Sequence, residues 1–277
     1  MSKSNKFDFS NEKYLSLAGR DFGAVRNLKL PKNADFLDLS HTVLPAGVYD
    51  FSGVRRLILQ SVYTSRVKKL ILPQNTATID LRYTALPDDE YDFSGVKRLV
   101  LQGTKLSRVK KLMLPKNANT IDLRDTKLPA GEYDISGAKR LDLSYADLSL
   151  VTKLVLPKNA NMINLASVTL PAGEYDFSGV KKLDLSYTDL MYILKLILPN
   201  NADTINLKNT VLPAGEYDFS DVKNLKLFNA DLSRATKLIL PANHHNIDLC
   251  NAKLPTQPYS DNIFNKIVQK YKQDKIK

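Results

Sequence analysis

Apolar residues recur along this chain in one fixed order: an aliphatic or Ala, two polar positions, Leu or Ile, one position, Leu, two positions, a small residue, one position, and Leu. VKKLDLSYTDL from Val180 and ADTINLKNTVL from Ala202 are two instances. The central L-x-L alternates with a period of two, which predicts a short strand with its leucines facing inward and the residue between them facing out. The pattern returns in alternating steps of 22 and 20 residues, giving twelve rungs between Phe7 and Pro258. The markers YDFS or YDIS at Tyr49, Tyr91, Tyr133, Tyr175 and Tyr217 keep a step of 42 residues without slippage, and FDFS at Phe7 lies on the same step. Such a period predicts a solenoid whose successive rungs pair as a parallel sheet, each burying its face against its neighbours.

Between rung strands the chain returns through two kinds of segment. One is of the LILP type, closed by Pro31, Pro73, Pro115, Pro157, Pro199 and Pro241; the other carries YDFS and is opened by Pro45, Pro87, Pro129, Pro171, Pro213 and Pro255. Rungs this short with such prolines leave no room for a helix on the outer side, which should be extended or polyproline-like, with or without short strand pairing. The residue before each rung motif is Asn11, Asn33, Gly53, Asn75, Gly95, Asn117, Gly137, Asn159, Gly179, Asn201, Asp221 or Asn243. Asn, Gly and Asp tolerate a left-handed backbone, so this slot predicts one positive-φ turn per rung. After Pro258 the texture changes. In residues 259–277, Ile263, Phe264, Ile267, Val268 and Tyr271 share one helical face, which predicts an amphipathic helix capping the last rung.

The motif L-x-x-L-x-L-x-x-(N/T)-x-L, followed by LP, resembles the leucine-rich repeat family over residues 7–258. The short rungs are most similar to bacterial repeats of secreted effector proteins, and FSGVKRLVL with LPKNANMINL is similar to repeats of bacterial surface antigens. The resemblance implies a parallel-sheet horseshoe with a mostly extended convex side. It also implies a protein-binding role on the concave face, in an effector or host-interaction protein. One departure concerns the family's strand-end Asn, which is here Thr42, Thr84, Thr104, Thr126, Thr188 and Thr210, with Ala, Val or Arg on the other rungs. A Thr hydroxyl can do part of the Asn's hydrogen bonding; Ala and Val can do none. The alternative fold is a flattened β-helix with two strands per rung.

The lone Cys250 excludes an intramolecular disulfide and suits a reducing compartment. No apolar signal segment or membrane span is visible, so a cytoplasmic protein, or one exported by a route without a classical signal peptide, is expected. A net charge of +11 favours acidic partners, yet the basic stripes Arg55, Lys97, Lys139, Lys181, Lys223 and Lys69, Lys111, Lys153, Lys195, Lys237 run beside an acidic one, Asp50, Asp92, Asp134, Asp176 and Asp218. Nucleic acid or an acidic membrane is therefore the second class of partner, after another protein, and the expected state is a monomer.

The candidate binding face lies between and beside the leucines: Arg56, Asp80, Tyr83, Arg98, Asp122, Arg140, Asp142, Tyr145, Lys182, Asp184 and Tyr187. Arg and Tyr are common anchors of protein recognition, whereas the aspartates recur with the period and read as scaffold. His244, His245 and Cys250 form the only metal-like cluster. Adjacent histidines on a strand point to opposite faces, so neither a metal nor a cofactor is expected. With no catalytic grouping outside the repeat, the expectation is a non-enzymatic binding scaffold.

Overall fold

A computed structural model describes residues 7–190, 192–242 and 244–255. It contains a parallel β-solenoid with turns of about 21 residues, divided into two compact units, Met1–Ala138 and Lys139–Lys277. In the N-terminal unit the rung strands Tyr14–Ser16, Phe36–Asp38, Arg56–Ile58, Thr78–Asp80, Arg98–Val100 and Thr120–Asp122 lie side by side in chain order, each parallel to the next. The C-terminal unit repeats this with Arg140–Asp142, Met162–Asn164, Lys182–Asp184, Thr204–Asn206, Leu225–Lys226 and Ile247–Asp248. Among the described residues there is no α-helix; the predicted capping helix at 259–277 lies outside them.

The register follows from the apolar spacing. Leu37, Leu57, Ile79, Leu99 and Ile121 stand directly opposite one another, and Leu39, Leu59, Leu81, Leu101 and Leu123 form a second column; all are fully buried. A one-residue slip would send both columns to solvent. Each such side chain contributes about 1.5–3 kcal/mol by burial, and this stabilisation is available only when a neighbouring rung is present.

The return segments pair in twos. Gly47–Asp50 lies parallel to Val67–Ile71, and Glu90–Asp92 to Lys111–Met113; in the C-terminal unit Gly173–Asp176 pairs with Ile193–Ile197, and Gly215–Asp218 with Ala235–Ile239. Each letter of the YDFS marker has a task here. The Tyr49 hydroxyl donates to the Pro45 carbonyl at 3.0 Å, Asp50 Oδ1 accepts the Ser52 N–H at 3.0 Å, and Phe51 is fully buried with its ring stacked on Tyr49 at 6.2 Å. The same three contacts recur at Tyr175, Asp176 and Phe177.

The strand-end threonines are interior. Thr126 Oγ1 donates to the Leu101 carbonyl of the preceding rung at 2.8 Å, Thr104 to Leu81 at 2.8 Å, Thr188 to Leu165 at 2.7 Å and Thr210 to Leu185 at 2.6 Å. The hydroxyl thus ties rung to rung. The Val and Ala residues at this slot on other rungs supply no such bond.

The positive-φ turn exists on every rung, but not at the slot the sequence indicates. Among the described residues, none of the Asn, Gly and Asp positions before the rung motif has positive φ. The left-handed residues sit directly before the Thr slot: Gly19, His41, Ser61, Tyr83, Gly103, Asp125, Tyr145, Ser167, Tyr187, Asn209, Asn229 and Asn251. There the turn is closed from residue i+3 to i, as when Thr84 N–H donates to the Leu81 carbonyl at 3.1 Å, with positive φ at its third residue, Tyr83, as in a type II turn. The Asn and Gly slot is small for another reason. A Cβ on Gly53 would lie 1.8 Å from Asn33 Oδ1 of the preceding rung, and one on Gly95 would lie 1.8 Å from Asn75 Oδ1. Asn243 lies outside the described residues.

Candidate binding face

The predicted face residues fall on both units and divide by chemistry. In the N-terminal unit the carboxylates are already engaged. Asp80 is buried and held in a fork by Arg82, with Nε at 3.0 Å from both carboxylate oxygens and a terminal nitrogen at 2.6 Å from Oδ2. Asp122 is held the same way by Arg124, at 2.9 and 2.7 Å. Both aspartates also accept the backbone N–H two residues on, which fixes the end of the strand. In the C-terminal unit Asp142 accepts the Ser144 N–H and hydroxyl at 3.0 and 2.7 Å, and Asp184 accepts those of Ser186 at 2.9 and 2.6 Å. Asn206 Nδ2 on the next rung donates to the remaining Asp184 oxygen at 2.9 Å. The periodic aspartates are turn caps and rung ties.

The cations differ. Arg56, Arg98, Arg140 and Lys182 are exposed, and the register sets Thr78 and Thr120 on either side of Arg98. Arg56 lies over the Phe36 ring at 5.5 Å, and Arg140 donates to Met162 Sδ at 3.8 Å. Among the described residues, none of the four forms an ion pair with a carboxylate. The tyrosines are also exposed, and each occupies the left-handed slot: Tyr83 at φ 55°, Tyr145 at 61° and Tyr187 at 58°. A left-handed backbone costs a side chain other than Gly roughly 1–2 kcal/mol. Tyr83 has a partial return, since its ring leans on Gly103, where a Cβ would come within 2.5 Å of it. Tyr187 lies 5.7 Å from the Lys208 Nζ, which also sits 5.0 Å from the Phe228 ring centroid.

Beside the face, much of the charge striping is self-neutralising. Lys32 pairs with Asp50 at 2.8 Å, Lys116 with Asp134 at 2.7 Å and Lys158 with Asp176 at 2.6 Å, each a contact to the following rung. The Lys116 hydrogen bond, followed by that of Ser136, lowers the Asp134 carboxyl to about 2. Exposed pairs of this kind contribute about 0–1 kcal/mol each.

No group of three His, Cys, Asp or Glu side chains suited to a metal occurs among the described residues. The adjacent histidines do not form a strand as the sequence indicates; His244–Asn246 is a turn of 3-10 helix ahead of the strand Ile247–Asp248. Among the described residues no helix is long and apolar enough to cross a membrane.

Several features escape a reading of the consensus. Arg82 and Arg124 clamp the aspartates, and Lys208 stands between two rings. The return strand Ile193–Ile197 carries Leu194 outward, beside exposed Tyr192, where other copies place Lys or Thr and Arg or Leu. A groove of about 740 Å³ in the N-terminal unit gathers Tyr63, Tyr83, Lys105 and Arg108. The available signal for all of them is departure from the period. No family model matches this chain, and no curated protein or solved structure matches it.

Proposed function

We propose that this chain is a non-enzymatic scaffold of the leucine-rich-repeat kind that recognises another protein through the exposed side of its rung strands. The observation that carries this reading is that the face carboxylates are held within the scaffold, whereas the face cations have no carboxylate partner among the described residues. Asp80, Asp122, Asp142 and Asp184 are bonded within the scaffold, whereas Arg56, Arg98, Arg140 and Lys182 meet solvent beside exposed tyrosines. Arg and Tyr on a sheet held rigid by inter-rung bonds lose little freedom on binding and are favoured interface anchors. The short rungs and the Leu-Pro closures support the effector type within that family, and with it a host-interaction role after export without a classical signal peptide.

Affinity capture with the full chain, followed by quantitative binding of the captured protein, tests the reading. Reversing Arg98 and Arg140 to Glu is expected to abolish retention of a specific partner while shifting stability by no more than about 0.5 kcal/mol. Equal retention by the reversed protein would overturn the assignment of the face. The net charge of +11 favours a second reading, in which the ligand is nucleic acid or an acidic membrane surface. A steep fall in affinity between low and moderate salt would mark nucleic acid.

A further inference from the structure

One exposed column changes character in two neighbouring copies. The residue after the strand-end slot on alternate rungs is Asp21, Asp147, Asp189 or Asp231 in four copies, but Tyr63 and Lys105 in the other two. Where the residue is Asp, its carboxylate caps the following turn: Asp21 accepts the Gly23 N–H at 2.7 Å, Asp147 that of Ser149 at 2.9 Å and Asp231 that of Ser233 at 3.0 Å. Two adjacent copies therefore lack that cap and its negative charge.

Both replacements line the same groove of about 740 Å³, within the N-terminal unit. Tyr63 and Tyr83 are exposed in it, and Lys68, Lys105 and Arg108 supply its cations. Among the described residues none of these three cations pairs with a carboxylate, while the carboxylate in the lining, Asp88, is taken by Lys110 at 3.2 Å. The result is an unneutralised positive cleft with aromatic walls.

We infer that this groove docks a short acidic segment of a partner protein, its carboxylates on Lys68, Lys105 and Arg108 and its backbone against Tyr63 and Tyr83. The groove runs from the rung of Tyr63 to that of Lys105, two rung spacings or roughly 10 Å, the length of about three extended residues. A nucleic-acid strand fits less well, because grooves for single strands track about 4–16 nucleotides, longer than this short cleft. The inference takes its class of partner from the protein-binding reading; the groove shares Tyr83 with the rung-strand face but none of that face's cations.

The test is fluorescence anisotropy with the full chain and three labelled probes: a Glu-rich octapeptide, its Gln counterpart and an oligothymidylate of matched charge. The key variant is Tyr63→Asp with Lys105→Asp. It restores the residue that caps the turn at Asp147 and Asp231, so it should fold, and its urea midpoint checks that. The Glu peptide is expected to bind the native chain, the Gln peptide and the oligothymidylate to bind far more weakly, and the double variant to lose about tenfold or more in affinity. Arg140→Glu, which tests the other face, should leave Glu-peptide affinity within about twofold, since Arg140 is not among the residues that line the groove. No binding of the Glu peptide, equal binding by the folded double variant, or tighter binding of oligothymidylate would each overturn the inference. Failure of the face variants to lose a partner would leave this result untouched.

Discussion

Alanine at Gly53 and at Gly95 should behave differently, although the two positions are equivalent in the repeat. A Cβ on Gly53 would meet Asn33 Oδ1 at 1.8 Å and the Lys32 carbonyl oxygen at 3.2 Å. The first obstacle is the end of a side chain that can rotate, at about 0.5–1.5 kcal/mol for a poor rotamer. The second needs a shift of only tenths of an ångström. A Cβ on Gly95 would meet Asn75 Oδ1 at 1.8 Å and the Gln74 carbonyl oxygen at 2.7 Å. That carbonyl is backbone and cannot turn aside, so two rungs must separate, at about 1–3 kcal/mol for overpacking. Against both stands a gain of about 0.4–1 kcal/mol, because alanine restricts the unfolded chain. The net expectation is a change within about 0.5 kcal/mol for Gly53→Ala and a loss of about 1–2 kcal/mol for Gly95→Ala. The Asn partners sharpen the contrast. In an Asn33→Ala background Gly53→Ala should become stabilising, whereas in an Asn75→Ala background Gly95→Ala should still destabilise.

Urea unfolding followed by circular dichroism gives the four cycle energies. Amide exchange around Val54 and Val96 locates the effect, since repeat chains open in segments. If the cost of Gly53→Ala is the same with and without Asn33, close approach between rungs is not what keeps the slot small. A slot governed by left-handed backbone would show that independence.

Two further outcomes follow from the interior. Thr126→Val keeps the shape of the side chain but removes one of two donors to the Leu101 carbonyl, which retains the Thr104 N–H at 2.9 Å, and should cost about 0.5–1.5 kcal/mol by the same urea assay; an unchanged midpoint would remove the inter-rung role of the hydroxyl. Burial pushes Tyr49, Tyr133, Tyr175 and Tyr217 up to about 12 from an ordinary 10.0, so their contribution is complete below pH 10 and is lost as pH rises through about 12. Replacing these four by Phe should flatten the alkaline fall in urea midpoint, and an identical fall would place its cause elsewhere.

The period, the strands and the inward leucines were legible in the sequence because a two-residue alternation repeated twelve times admits few other structures. The turn was not placed correctly, for a physical reason. Gly can mark two different constraints, positive φ and close approach of a neighbour, and here Gly53 and Gly95 serve the second, leaving room for the Asn side chain and a carbonyl of the preceding rung. The true left-handed slot carries Tyr, His and Ser as often as Gly or Asn, so its composition hides its geometry. Asp80 read as periodic scaffold and Arg98 as an anchor, but how each is held was not legible. Their separation into a clamped cap and an unpaired cation depends on Arg82 folding back two residues, which spacing alone does not fix. The groove was invisible because Tyr63 and Lys105 come together only when adjacent copies stack.

Strain orders the candidate tyrosines. At the left-handed slot Gly19, Gly103, Asn209, Asn229 and Asn251 are low-cost residues, and Tyr83, Tyr145 and Tyr187 are costly ones. Tyr83 gains contact over Gly103, and Tyr187 gains a cation at 5.7 Å. Tyr145, 64% exposed at φ 61°, has no ring or cation contact of that kind among the described residues. Folding alone therefore favours glycine at this position by about 1 kcal/mol before the entropy of the unfolded chain is counted, and by rather less after it. Tyr145→Gly should thus leave the urea midpoint unchanged or raise it, while weakening a partner bound to the C-terminal unit's face. A lower midpoint would mean that the ring contributes to the scaffold. An unchanged partner affinity would leave the strained tyrosine without the role that the exposed face gives it.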